Sequence, residues 1–150
     1  TGQSGPTGAT GPTGTVPDES FASFINTQYP LVNGNPIIMF PDITDTTGNI
    51  TSPSVDRVTL APGYYLVSYS VSGIFRTASY MQVTPSYNGT AHLETGVYFA
   101  TSTNGSSACG SAHFIIYAPS QTDFSLTFTG SSSATDGALT LTFLKLRRDQ

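Results

Sequence analysis

After about residue 20, apolar and polar positions alternate with period two along most of this chain. Phe124, Leu126 and Phe128 alternate with Ser125, Thr127 and Thr129, the pattern of a strand with one buried face. The stretch 63–71 places Tyr65, Val67, Tyr69 and Val71 on one side. The stretch 138–146 alternates at first and then turns apolar on both sides, which predicts a strand covered once by its own core and once by a neighbouring subunit. Further strands are predicted over 21–25, 37–40, 55–60, 80–87, 93–100 and 112–117. Turn signals divide them: Asn33-Gly34, Gly48-Asn49, Pro62-Gly63, Asn88-Gly89, Asn104-Gly105 and Asp136-Gly137, all pairs that tolerate tight backbone reversal. No window of ten or more residues carries a helical stripe. About eight to ten short strands at this spacing predict an all-β jelly-roll sandwich.

The first sixteen residues follow a different rule. Glycine falls at Gly2, Gly5, Gly8, Gly11 and Gly14 without a miss, with Pro6 and Pro12 directly after a glycine. A collagen triple helix needs this period, because only glycine fits where three chains meet at the axis, and proline favours the extended polyproline conformation. At about 3.1 Å per residue the segment is a rod of roughly 45 Å. The chain therefore divides into a collagen-like stalk end, 1–16, and a head, 17–150. A triple helix requires three chains in register, so the head is the candidate trimerising element. Its sequence carries more apolar strand faces than one small sandwich easily hides, and a threefold interface would bury the surplus.

Composition narrows the function classes. Only 9% of the residues are charged, the net charge is −4, and eight Tyr and nine Phe accompany them. Disordered chains show the reverse, so the head reads as folded with a neutral, hydroxyl-rich surface. Three of the five basic residues, Lys145, Arg147 and Arg148, crowd the end of the sequence. That is too little basic field for nucleic acid. No apolar run reaches membrane-span length. The chain does not begin with Met and reads as a piece of a longer protein.

Candidate chemistry is sparse. The single cysteine, Cys109, sits between small residues before an apolar run and is expected to be a buried core thiol. His92 and Glu94, two apart, would share a strand face and with His113 could offer a zinc set, but spacing does not bring His113 to them, and they read as polar strand residues. No Gly-x-Ser-x-Gly elbow supports a Ser-His-Asp hydrolase. Asp42, Asp45 and Asp56 could supply calcium oxygens, but no Asp-x-Asp-x-Asp-Gly loop is present. Three Asn-x-Ser/Thr sequons, at Asn49, Asn88 and Asn104, arise easily by chance in such a chain. No catalytic residue, cofactor or metal is expected, and the chain reads as a non-enzyme.

A collagen-like segment followed directly by an all-β head resembles the complement-first-component and tumour-necrosis-factor superfamily of trimeric jelly rolls. Leu60-Ala61-Pro62-Gly63-Tyr64-Tyr65-Leu66-Val67-Ser68-Tyr69 is similar to that family's Pro-x-Gly-x-Tyr-x-Phe motif. The run Leu139 to Leu146 is similar to its closing strand near the trimer axis. The Gly-Pro-Thr and Gly-Ala-Thr triplets resemble those of BclA-type collagen-like glycoproteins on the exosporium of spore-forming bacilli and clostridia. The head departs from vertebrate members in lacking Trp and in its single Cys. The resemblance implies a homotrimer with Tyr65, Tyr69, Leu141, Phe143, Leu144 and Leu146 in its core or interface. It also implies O-linked sugars on Thr7, Thr10 and Thr13, and a structural role on the outer layer of a bacterial spore. Two other roles stay open: an adhesin or lectin-like head gripping a host surface protein or glycan, and the tip of a phage or viral fibre.

Overall fold

The computed structural model describes residues 1–148. Residues 1–20 form neither strand nor helix in the single chain, and every side chain before Ser20 is exposed. Around each triplet glycine the space that a Cβ would occupy is empty. The steric demand for glycine arises only where three chains meet.

Eleven strands follow among the described residues: β1 (Phe21–Leu31), β2 (Phe40–Ile43), β3 (Ile50–Ser54), β4 (Arg57–Leu60), β5 (Gly63–Phe75), β6 (Tyr80–Tyr87), β7 (Thr90–Ala91), β8 (Val97–Ala100), β9 (Ser106–Ala118), β10 (Thr122–Gly130) and β11 (Ala134–Leu146). They build two antiparallel sheets. The first runs β2-β1-β11-β5-β9, and the second runs β3-β4-β10-β6-β7 with β8 also paired to β6. From β4 onward the chain crosses repeatedly between the sheets, the connection pattern of a jelly roll.

Alternation explains the layering. In β5 the inward side chains Tyr65, Val67, Tyr69, Val71 and Phe75 are buried while the intervening residues stay accessible. In β10 and β11, Phe124, Leu126, Phe128, Leu139, Leu141 and Phe143 meet them from both sheets. Phe124 packs edge-on against Phe143 at 5.0 Å, and Phe24 packs edge-on against the same ring at 6.0 Å. Such pairs add to area burial because ring edge and ring face carry opposite partial charge.

The structure corrects several expectations. Residues 37–40 are not a strand up to Phe40, where β2 begins. Ile37 and Met39 are buried, but their amides donate to Leu126 O and Val55 O, and the amide side chain of Asn26 donates to Ile38 O. The segment is thus held by scattered bonds instead of a ladder. The stretch 55–60 is divided by a turn at Val55-Asp56, so only β4 is strand. In 93–100 the first part is a 3₁₀ turn, Leu93–Thr95, and β8 follows it. Asp136-Gly137 is not a turn between strands. It is a bulge inside β11, with Asp136 at φ 51° and a register shift between Thr135 and Ala138. A Cβ at Gly137 would lie 2.5 Å from Tyr29 O, which is why glycine stands there. Cys109 is exposed on β9 and is not a core thiol. Its neighbour Gly110 faces inward, where a Cβ would meet Phe99 at 2.5 Å, so parity sends Cys109 outward.

The aromatic cluster generates a stability prediction. Phe143→Ala removes a fully buried ring contacted by Phe24 and Phe124, and its expected cost is about 3–5 kcal/mol. Urea unfolding at fixed chain concentration measures it, and a loss below ~1 kcal/mol contradicts this account of the core.

Candidate functional site: an apolar sheet face beside the stalk junction

Strand parity that buries Tyr65 and Phe143 sends their neighbours to the outer face of the first sheet. There the register lines up apolar side chains across four strands. Phe21 of β1 stands opposite Leu144 of β11, Leu144 opposite Leu66 of β5, and Leu66 opposite Ile115 of β9. A second row runs from Leu146 to Tyr64 to Tyr117. The Tyr64 and Tyr117 rings stack at 4.6 Å. Phe21, Leu66, Tyr117 and Ile115 are all exposed, Ile115 at 62%, and together they form an exposed apolar patch, which is more informative than a lone exposed apolar side chain.

Farther along the same face the rows turn polar. Ser23, Thr142, Ser68 and His113 face one another across the strands, and the Ser68 hydroxyl lies 2.6 Å from His113 Nδ1. An apolar end of the face thus gives way to a hydroxyl row, with exposed Ile25, Phe40 and Ile74 beyond it. The apolar end is the one nearest Ser20 and Arg147.

At that end the residue after β11 holds the segment that follows the Gly-X-Y repeat. Arg147 donates to the Pro17 carbonyl at 2.7 Å and to Glu19 Oε1 at 2.6 Å. The Arg148 guanidinium lies 4.9 Å from the centre of the Tyr64 ring, within cation–π range. A groove of about 430 Å³ opens between Pro17–Ser20 and Lys145–Arg148. Beneath it, Ser20, Thr47 and Asn49 share hydrogen bonds, and Lys145 Nζ donates to Asn49 Oδ1. Asp45 anchors this cluster. Burial alone would raise its carboxyl, but donors from Ile50 N–H, the Thr47 hydroxyl and backbone, and Asn49 N–H outweigh that and hold it below the usual carboxylate range.

The sequence-derived candidates separate cleanly. Tyr65, Tyr69, Leu141 and Phe143 lie in the core of the single chain, whereas Leu144 and Leu146 are half-buried on the outer face. The Tyr65 hydroxyl donates to Ala61 O and the Tyr69 hydroxyl to Thr95 O. Burial pushes the Tyr65 phenol up to about 12, with the Asp45 charge adding to it, and pushes the Tyr69 phenol higher still. Thr7, Thr10 and Thr13 are exposed in the stalk segment with Gly2, Gly5, Gly8, Gly11 and Gly14. The sequence reading passed over Phe21, Tyr64, Leu66, Ile115 and Tyr117 as one surface. Their parity was legible, but the register that joins them was not.

The other candidates do not assemble. His92 Nδ1 meets Glu94 at 2.6 Å beside the 3₁₀ turn and not on a strand face, while His113 sits on the first sheet. Among the described residues no three His, Cys, Asp or Glu side chains converge. Asp42 accepts from Ser23, Asp45 is spent on its own loop, and Asp56 accepts from Ser54. Each sequon amide has a structural partner: Asn49 with Ser20, Asn88 with Tyr117 O, Asn104 with Ala78 N–H. Tyr87, at the end of β6, is buried and stacks on His92 at 3.7 Å.

Comparison with known proteins agrees with the architecture. No protein-family profile and no curated protein sequence matches the chain. Solved structures do. The globular domain of the zebrafish complement 1qA protein superposes with TM-score 0.61 at 9% identity, over 88% of this chain and 100% of that one. Eiger TNF from S. frugiperda superposes with TM-score 0.68 at 10% identity, over 88% and 95%. The PRD1 vertex protein P5 superposes with TM-score 0.54 at 15% identity, over 85% and 97%. These likenesses establish the fold as an all-β jelly roll like those of C1q and tumour-necrosis-factor domains.

The Asp45 cluster carries a pH prediction. A carboxyl lowered by folding contributes stability above its unfolded value of about 3.9, and that contribution is lost as pH falls through the folded value. Asp45→Asn is expected to cost about 1–2 kcal/mol at pH 7. The gap between wild type and variant should narrow as urea unfolding is repeated below about pH 3, and a gap independent of pH contradicts the assignment.

Proposed function

We propose that this chain is the trimerising head of a collagen-like filament, a structural surface protein and not an enzyme. The observation that carries the reading is the uncovered apolar surface of Phe21, Leu66, Ile115, Tyr64 and Tyr117 beside the stalk junction. A contiguous patch of this kind marks an association site. Its position supports self-association in particular, because the Gly-X-Y segment leaves the head at the same end, and that segment can fold only with two other copies. A patch on one face meeting a different surface of the next copy closes into a ring when the rotation is threefold. Holding three stalks together then makes nucleation of the triple helix effectively intramolecular.

The filament reading extends to location through the sequence. The Gly-Pro-Thr and Gly-Ala-Thr triplets support the outer layer of a bacterial spore, with O-linked sugars on Thr7, Thr10 and Thr13. Intact-mass analysis of protein from spores reads those sugars directly. The likeness to the PRD1 vertex protein P5 favours a second reading, the tip of a phage or viral fibre. That role uses the same self-associating head.

Sedimentation equilibrium of the 1–150 chain tests the core claim. The wild type is expected at about three chain masses and Ile115→Asp at one. Ile115 is exposed, so a carboxylate there leaves the monomer folded and puts a charge into the interface. A folded wild-type monomer at high concentration defeats the proposal. A trimer indifferent to Ile115→Asp and Leu66→Asp assigns the interface elsewhere.

A further inference from the structure

The two outer faces of the sandwich differ in chemistry. Where the first carries apolar rows, the second carries neutral polar side chains flanked by aromatic rings. Gln82 of β6 stands opposite Tyr98 of β8 on one side and Thr129 of β10 on the other, and Thr84 stands opposite Thr127. Residues paired across antiparallel strands point to the same side of the sheet. Tyr80, two residues before Gln82, shares that side, and its ring stacks on Tyr98 at 6.0 Å and 30°. Tyr98 is 66% exposed.

None of these six residues is charged. Their polar groups are also unspent. Side-chain hydrogen bonds among the described residues run through Ser79, Thr101 and Asn33 at one end of this sheet and through Asn88 and Thr122 at the other. The Gln82 amide, the hydroxyls of Thr84, Thr127 and Thr129, and both tyrosine hydroxyls take part in none. A flat aromatic surface therefore adjoins a row of free donors and acceptors fixed on a rigid sheet.

We propose that this face binds a neutral glycan, with a pyranose ring laid on Tyr98 and its hydroxyls read by Gln82 and the threonines. A pyranose presents one face of C–H groups and a rim of hydroxyls, which matches a tyrosine's apolar body and polar tip. An amide offers both a donor and an acceptor to neighbouring hydroxyls. Other ligand classes fit worse. A charged ligand would lose hydration here without a counter-charge. An apolar peptide would cover the amide and hydroxyls and leave them unsatisfied. The face is on the opposite sheet from the apolar surface proposed for self-association.

Two measurements on the 1–150 chain test the proposal. The first is binding to an array carrying neutral and sialylated oligosaccharides. The second is saturation-transfer NMR with lactose and with diacetylchitobiose as probes. Neutral glycans should bind, with transfer concentrated on the C–H groups of one sugar face. Tyr98→Ala and Gln82→Ala should each weaken binding about tenfold or more, with thermal melting of each variant measured alongside to separate lost binding from lost fold. Absence of neutral-glycan binding, preference for sialylated glycans, or binding retained in both variants overturns it. The chain mass, measured in the same samples, reports separately on self-association.

Discussion

The structure depends on the pairing of its first and last strands. β1 and β11 lie side by side in the middle of the first sheet, with Phe21 opposite Leu144 and Phe24 opposite Leu141. More than a hundred residues separate these partners, so the ladder forms only once the chain has closed on itself. That closure is entropically costly, and the aromatic packing of Phe24, Phe124 and Phe143 beneath it is what offsets the cost. Once made, the pairing fixes both termini at one end of the sandwich.

Two consequences follow from that one ladder. The residues that link the Gly-X-Y repeat to β1 run alongside the basic residues after β11, where Arg147 reaches back to Pro17 and Glu19. Exposed ion pairs contribute little stability, so this contact sets direction more than it adds strength. The ladder also aligns the outward apolar residues of β1 and β11 with those of β5 and β9. Without it, Phe21 and Leu144 would be isolated surface residues of no consequence. With it, they join Leu66 and Ile115 in one contiguous apolar surface.

The two outer faces of the sandwich differ in chemistry around one core. The inward residues of both sheets are interchangeable in kind: large, apolar and alternating. The outward residues are not. On the first sheet they are apolar in the rows next to Ser20, hydroxyl-bearing in the rows beyond, and apolar again at Ile25, Phe40 and Ile74. On the second they are amide, hydroxyl and tyrosine. A sheet with one solvent-facing side normally shows polar residues there; the second sheet follows that rule and the first departs from it.

The order of residues alone reveals the all-β class, the inward face of β5 and β10, and the collagen-like period of the first sixteen residues. Each of these is a local regularity: period two for a strand, period three for a triple helix. It misjudged Cys109 because small neighbours suggested burial, whereas parity along β9, set by Gly110 packing under Phe99, turned it outward. It took Asp136-Gly137 for a turn because a bulge uses the same residues as a turn. That Tyr65 and Phe143 belong to the core while Leu144 and Leu146 reach the outer face, and that Phe21, Leu66 and Ile115 stand in one row, emerges only in the folded chain. Those facts depend on which strand lies beside which, and in what register. Register between distant strands is a property of the closed chain and leaves no periodic trace in the order of its residues.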